Sequence, residues 1–233
     1  MNKFISPISV LFFISLSSFI MRYAILNSQA LPPSNDVAGD LYLAHVWTGN
    51  SIPQLRGVIV QPPLYFFIIV IPFTTFFSVL RGMIIYMSFV PAILTIPTYL
   101  LSRNIGLNRL SGYLASFLVG ISAIFGNMMT WNAGYNLFGM FFLILAANFL
   151  INFLRKPSKI NAFYVSLLFA LTVGTHPLSA LVLTLTIVIS LPLFLISKLD
   201  KMEEFFTPGT FKLVLLLFLL CALFSLPFIE SFQ

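Results

Sequence analysis

Residues 135–154 read YNLFGMFFLILAANFLINFL, a run of twenty residues without a charged side chain. A helix of this length rises about 30 Å, which matches the hydrocarbon thickness of a bilayer. Similar apolar runs recur along the chain, and they do not alternate apolar with polar residues as the strands of a membrane β-barrel do. The sequence therefore predicts an all-α, polytopic integral membrane helical bundle.

The overall composition agrees with this prediction. Hydrophobic residues make up 59% of the chain and charged residues 8%, and the mean hydropathy is +1.03. This leaves too little polar surface for a soluble protein. The twelve basic residues lie at the ends of apolar runs, which is typical of topology signals and not of a nucleic-acid surface. We expect one transmembrane domain, residues 1–233, whose first partner is the lipid bilayer.

Eight apolar runs are candidate helices: 4–26, 62–80, 83–102, 109–128, 135–154, 161–175, 177–197 and 211–229. The first has two interpretations. Lys3 and the triplet Ser28-Gln29-Ala30 are typical of a cleaved signal peptide, whereas the length of the run and the multispan chain after it indicate a retained span. We favour the retained span. The single cysteine, Cys221, excludes an intrachain disulfide and a multi-cysteine metal site.

The basic residues also predict orientation. If all eight runs cross from a cytoplasmic N-terminus, ten of the twelve basic residues lie outside, against the positive-inside rule. If run 62–80 is instead re-entrant or interfacial, nine of them lie in the cytoplasm. Pro62, Pro63 and Pro72 favour this broken segment. Eight crossings from an external N-terminus also satisfy the rule. We favour about seven transmembrane helices plus one partial segment, with a cytoplasmic N-terminus.

In that arrangement residues 27–61 form an outward-facing loop that carries polar residues. Asp36 and Asp40 are four residues apart and would share a helix face. Asp36 is best explained as a helix cap, whereas Asp40 is a candidate general base or hard-cation ligand. His45 can pair with Asp40 or contact an anionic headgroup. No third ligand accompanies them at a suitable spacing, so no metal site is predicted.

Other outward groups are expected near this loop. An anionic phosphate close to hydrocarbon needs cationic partners, and the outward candidates are Arg22, Arg56, Arg81 and His176. We expect Arg22 to snorkel from its helix end to the interface. The turn TWNAGYN, residues 130–136, adds the amides of Asn132 and Asn136, which can hydrogen-bond a sugar. This turn and His176 are expected to approach the loop on the same membrane face.

These residues together resemble the N-terminal module of fold-C (GT-C) glycosyltransferases. Such enzymes, for example protein O-mannosyltransferases and aminoarabinose transferases, take a sugar from a polyprenyl-phosphate carrier on the outer or lumenal face. The likeness lies in Asp40, Tyr42, Ala44 and Gly49, followed by Gln61-Pro62-Pro63-Leu64-Tyr65-Phe66. Residues 90–99 are similar to the next span, and Thr175-His176-Pro177 to a position where relatives carry a basic residue. It covers about residues 1–200.

The resemblance implies a membrane glycosyltransferase, or its N-terminal module, that transfers a sugar from a polyprenyl-phosphate carrier to an acceptor on the outer face. Asp40 would be the catalytic or acceptor-orienting carboxylate. The substrate-binding candidates are Asp36, His45, Arg56, Gln61, Asn132 and His176. Many members have a second acid in the turn that here holds Asn132 and Asn136. No cofactor is therefore predicted, and a divalent cation is disfavoured.

A non-catalytic membrane subunit that keeps this fold and binds a partner or lipid is the alternative. Members of the family usually continue beyond the position of Gln233 into further spans or a soluble domain, so a protein partner would supply that part. A secondary transporter is the third interpretation. It would carry midplane charges or an internal repeat, and the sequence shows neither.

Overall fold

A computed structural model describes residues 6–28, 63–122, 134–196 and 208–229, which are almost entirely helical and contain no strand. The elements are α1 (Pro7–Asn27), α2 (Pro63–Tyr65), a π-helical turn (Phe66–Val70), α3 (Ile71–Phe76), α4 (Val79–Ile93), α5 (Thr95–Asn104), α6 (Arg109–Ile121), α7 (Gly134–Arg155), α8 (Lys159–Thr175), α9 (Pro177–Ile196) and α10 (Pro208–Ile229).

Four helical stretches in these ranges are long and apolar enough to cross a membrane: Pro7–Asn27, Val79–Asn104, Gly134–Arg155 and Gly209–Leu226. Shorter apolar helices cover Phe67–Phe76, Arg109–Ile121, Lys159–Thr175 and Leu178–Ser190. The prediction of an all-α fold is confirmed for the described residues, and the four long apolar helices are consistent with a membrane protein.

Polar caps set several helix starts. The Ser6 side chain accepts from the Ile8 amide, and Pro7 follows at the first helical position, where its missing N–H costs nothing. Asn108 accepts from the Ser111 amide at 2.8 Å. Ser158 accepts from the Asn161 amide at 3.2 Å. These side chains satisfy amides that the first turn of a helix leaves without a backbone acceptor.

The segment after Pro63 is broken, but not where the sequence suggested. The runs 62–80 and 83–102 predict a break between them at Arg81-Gly82. This prediction is wrong, because both residues lie inside α4 and the chain leaves the helix at Phe77 and Ser78. Before that break, a π turn joins α2 to α3, and Pro72 stands in the first turn of α3. The Thr74 hydroxyl donates to the Val70 carbonyl at 2.7 Å, which satisfies an acceptor in the irregular turn.

Gly82 lets α3 fold back on α4. A Cβ added at this glycine would lie 2.4 Å from the Phe73 carbonyl oxygen and 2.9 Å from the Thr74 Cα. Both neighbours are backbone atoms, so neither can rotate away. The return of the chain after α3 therefore requires glycine at this position.

The centre of the bundle is built by α4, α7 and α8. Helix α8 packs along α7 and α10, α1 packs along α4, and α5 packs along both α6 and α7. Because lipid is as apolar as the side chains, association of these helices depends on close packing and on interhelical hydrogen bonds. Small buried residues supply the close contacts, for example Ala146 and Ala162, which are both 0% exposed.

Candidate functional site

Most of the predicted site residues lie outside the described ranges: Asp36, Asp40, His45, Arg56, Gln61 and Asn132. His176 is described. The structure also describes two tyrosines that are close in sequence to two of the other candidates. Tyr65 belongs to the motif that begins at Gln61, and Tyr135 is three residues after Asn132. These three rings define what the structure contributes to the candidate site.

His176 lies between α8 and α9 and acts as the N-cap of α9. Its Nδ1 accepts from the Ser179 amide at 3.3 Å, and the Ser179 hydroxyl lies 3.4 Å from the same nitrogen. The His176 carbonyl accepts the first backbone bond of α9, from Ala180 at 3.1 Å. Pro177 follows as the first helical residue. This is the geometry of a capping side chain on the third helical amide, with imidazole in place of the usual oxygen.

The cap determines the protonation of His176. An amide N–H donates to Nδ1, so Nδ1 is the bare nitrogen and the proton of the neutral ring lies on Nε2. Burial also lowers the pKa of His176 below its ordinary value of 6.5, because it disfavours the charged ring. At neutral pH the imidazole is therefore uncharged and offers Nε2–H as a hydrogen-bond donor. A general base would need the other tautomer, which would break the cap.

Tyr135 and Tyr65 extend this site into the bundle. The Tyr135 ring lies 5.1 Å from the His176 ring, and 6.4 Å from the Tyr65 ring. Tyr65 is 1% exposed and also contacts Tyr86, with ring centroids 6.4 Å apart, and Phe138, at 6.0 Å. Tyr65 of the PPLY motif, Tyr135 of the TWNAGYN turn and His176 of the THP break thus lie in one aromatic cluster.

Gly139 controls the approach of α9 to this cluster. A Cβ added there would lie 2.9 Å from the Ser179 Oγ and 3.1 Å from the His176 Cβ. Since Gly139 is four residues after Tyr135, both lie on the face of α7 that meets the start of α9. Sequence reasoning missed this glycine. The same i, i+4 spacing was the signal that could have identified it.

The described residues contribute no carboxylate to the site, because all six acidic residues of the chain lie outside the described ranges: Asp36, Asp40, Asp200, Glu203, Glu204 and Glu230. Within the described ranges there is also no group of three or more His, Cys, Asp or Glu side chains that could hold a metal ion. The part of the site that the structure describes is therefore aromatic and uncharged, with one donor nitrogen.

The expectation for Arg22 is wrong. Instead of snorkelling, its side chain is 6% exposed and lies between α1 and α6. One guanidinium nitrogen donates to the Gly120 carbonyl at 2.9 Å and to the Ser122 carbonyl at 3.0 Å. Its Nε has no hydrogen-bond partner among the described residues. The end of α6 offers free carbonyls and a partial negative charge, which explains why the cation is held there.

A polar seam continues from Arg22 along α1. The Ser18 hydroxyl also donates to the Gly120 carbonyl, at 2.7 Å, and Ser15 hydrogen-bonds the Thr95 hydroxyl at 2.5 Å. Ser15, Ser18 and Arg22 are spaced three and four residues apart, so they share one helix face. That spacing was readable in the sequence as a polar stripe. It makes Arg22 a structural anchor of α1.

The site thus combines a neutral imidazole donor, fixed by a helix cap, with the buried ring of Tyr65 and the partly buried ring of Tyr135 from two other elements. Such a surface can hydrogen-bond a phosphate or hydroxyl oxygen through Nε2–H and can pack against an apolar or ring-shaped ligand. Comparison of the chain with protein families, curated proteins and solved structures gives no match.

Proposed function

We propose that this protein is a membrane glycosyltransferase of the GT-C type, or the N-terminal module of one. It transfers a sugar from a polyprenyl-phosphate carrier to an acceptor on the outer face of the membrane. The observation that carries the proposal is the clustering of Tyr65, Tyr135 and His176. Tyr65 and His176 belong to two motifs on which the family resemblance rests, and Tyr135 belongs to the turn in which many members carry a second acid.

In the proposed reaction an acceptor hydroxyl or amide attacks the anomeric carbon of the sugar. Asp40 accepts the acceptor's proton or orients the attacking group. The bond between the anomeric carbon and the phosphate oxygen breaks, and its electron pair leaves with the polyprenyl phosphate. His176 donates Nε2–H to that phosphate, and Arg56 balances its charge. The other predicted binding residues, Asp36, His45, Gln61 and Asn132, contact the sugar or acceptor.

The proposed topology has seven spans plus one partial segment, a cytoplasmic N-terminus and residues 27–61 on the outer face. Its support is the region from Pro63 to Phe76, which a π turn interrupts. The helix then ends at Phe76, and Phe77 and Ser78 separate it from α4. An Asn50→Cys label in a Cys221→Ser background tests this: labelling only from the cytoplasm would refute the topology.

The alternative function is a non-catalytic membrane subunit that binds a partner protein or a lipid. The observation that favours it is the turn TWNAGYN, which carries Asn132 and Asn136 where many enzymes of this type carry a second acid. A subunit would keep the aromatic cluster for packing and would not need Asp40.

Transfer from polyprenyl-phosphate mannose and from polyprenyl-phosphate aminoarabinose by the purified full chain separates the two functions. We expect Asp40→Asn to lower the transfer rate at least a hundredfold, as loss of a general base does. Asp200→Asn removes the same charge at a residue that is not a site candidate and is the matched control. Unchanged transfer by Asp40→Asn would remove Asp40 from the mechanism. No transfer by the parent with either donor would favour the subunit.

A further inference from the structure

Two turns meet at one end of the bundle. The first, residues 105–108, joins α5 to α6, and the second, residues 156–158, joins α7 to α8. Arg155 donates to the Asn104 carbonyl at 2.6 Å and to the Asn104 Oδ1 at 2.7 Å. The Asn104 amide in turn hydrogen-bonds Asn148 Oδ1 at 2.9 Å and Asn152 Oδ1 at 3.0 Å. These bonds hold the two turns side by side.

Among the residues that the structure describes, every charged side chain at the paired turns is basic. Five exposed basic residues lie in or beside them: Arg103, Arg109, Arg155, Lys156 and Lys159. No acidic residue occurs anywhere between Asp40 and Asp200. Two of the five are used within the fold, because Arg103 donates to the Leu107 carbonyl and Arg155 binds Asn104. Arg109, Lys156 and Lys159 have no hydrogen-bond acceptor among the described residues.

Arg109 and Lys159 occupy positions that disfavour a cation. Each is the first residue of a helix, α6 and α8 respectively. The N-terminus of a helix carries a partial positive charge, so a basic residue there is repelled and an anion is attracted. The caps, Asn108 and Ser158, are neutral and do not offset this repulsion. The basic side chains at these two positions therefore oppose local helix stability, which points to an anion outside the helices.

Two stacked tyrosines indicate where the turns lie relative to the membrane. Tyr113, four residues after Arg109, stacks on Tyr99 with ring centroids 4.9 Å apart. Tyr164, five residues after Lys159, stacks on Phe149 at 4.8 Å. Tyrosines one turn inside a basic helix end are typical of the membrane–water interface, with the apolar helices continuing into hydrocarbon. The exposed cations then lie at the level of the lipid headgroups.

We propose that the two paired turns form a binding surface for anionic phospholipid headgroups, with Arg109, Lys156 and Lys159 contacting the phosphates. Basic groups next to a membrane attract anionic lipids, and this attraction is screened by salt. The hydrogen bonds between Asn104 and Arg155 fix the spacing of the two turns. The surface does not depend on the glycosyltransferase proposal, because it uses none of the residues placed in that site.

The test measures lipid binding to the full chain in neutral detergent by native mass spectrometry. Phosphatidylglycerol is compared with phosphatidylcholine of the same acyl chains at low and high salt. We expect preferential binding of phosphatidylglycerol that weakens as salt rises. Arg109→Gln and Lys159→Gln should each lower its affinity about fivefold, and together about thirtyfold. Lys156→Gln, in the turn itself, tests the surface without changing a helix.

Arg81→Gln is the matched control. Arg81 is also exposed, but it lies near the start of the helical stretch Val79–Asn104, about 33 Å along the helix from Arg103. The affinity of the Arg81→Gln variant for phosphatidylglycerol should remain within twofold of the parent's. Equal binding of the two lipids would overturn the proposal, as would an equal loss in Arg81→Gln. Inorganic phosphate that displaces phosphatidylglycerol at equal concentration would assign the surface to a soluble anion instead.

Discussion

Two substitutions at His176 separate its role as a helix cap from its role as a donor. Asparagine places its Oδ1 on Cγ, as histidine places Nδ1, so His176→Asn should keep the bond from the Ser179 amide while removing Nε2–H. His176→Ala removes both. We therefore expect the asparagine variant to fold as stably as the parent, and the alanine variant to be less stable by about 1 kcal/mol, the usual value of an N-cap.

The same pair predicts a pH dependence. The pKa of His176 in the folded protein lies below 6.5, because burial disfavours the imidazolium. The unfolded chain then binds the proton more readily than the folded one, so this residue's contribution to stability is complete above pH 6.5 and is lost as the pH falls through that value. The loss is at most about 1.4 kcal/mol per pH unit for one proton. The asparagine variant has no such group.

The measurement is equilibrium unfolding of the full chain in mixed micelles, followed by far-UV circular dichroism between pH 5 and 8. The difference in unfolding free energy between the parent and His176→Asn isolates this residue, since every other titrating group is common to both. We expect the difference to favour the parent less as the pH falls. A difference that is constant across the range, or one that grows toward acid, would refute the cap and the bare Nδ1.

The remaining predictions concern helix packing, and the same unfolding assay measures their effect on the free energy of unfolding. Gly82→Ala should destabilise the fold by about 1–3 kcal/mol, because its Cβ would meet the Phe73 backbone oxygen at 2.4 Å. Gly112→Ala is the control, since its Cβ would meet a side chain, the Tyr99 ring, at 3.1 Å and should cost less. Ser18→Ala should lower the free energy of unfolding by about 0.6 kcal/mol. The loss should be larger in an Arg22→Gln background, because the Ser18 and Arg22 side chains both donate to the Gly120 carbonyl. Exposed Ser17→Ala should be neutral, and additive effects of the Ser18 and Arg22 changes would contradict a shared acceptor.

The helices were predictable because each apolar run must satisfy its own backbone in lipid, and a helix does so locally. Run 135–154 became Gly134–Arg155 and run 161–175 became Lys159–Thr175. The helices begin earlier than the apolar runs, directly after polar caps such as Ser158, and a search for hydrophobic residues does not detect such caps. The predicted break at Arg81-Gly82 was wrong for a different reason. A charged residue and a glycine suggested a loop, whereas the fold uses this glycine for a close contact between two helices.

The environment of Arg22 was not predictable from its own helix. Its acceptors, Gly120 and Ser122, are about a hundred residues away and are free only because α6 ends there. A rule for isolated helix ends therefore predicts that Arg22 snorkels to the interface, whereas the tertiary fold buries its side chain. Of the candidate site, the sequence indicated His176 but not its cap. The tautomer follows from the Ser179 amide, which only the start of α9 brings into place.

The two proposed regions lie at opposite ends of α8, which separates their tests. Lys159 begins this helix and His176 follows its last residue, so they are about 25 Å apart along it. Direct electrostatic coupling over that distance is weak, since it exceeds two Debye lengths at physiological salt. A change at Lys159 that lowered sugar transfer without lowering lipid affinity would have to act through packing of α8 on α7. Loss of transfer in step with loss of phosphatidylglycerol binding would instead show that lipid at one end supports the fold on which His176 depends.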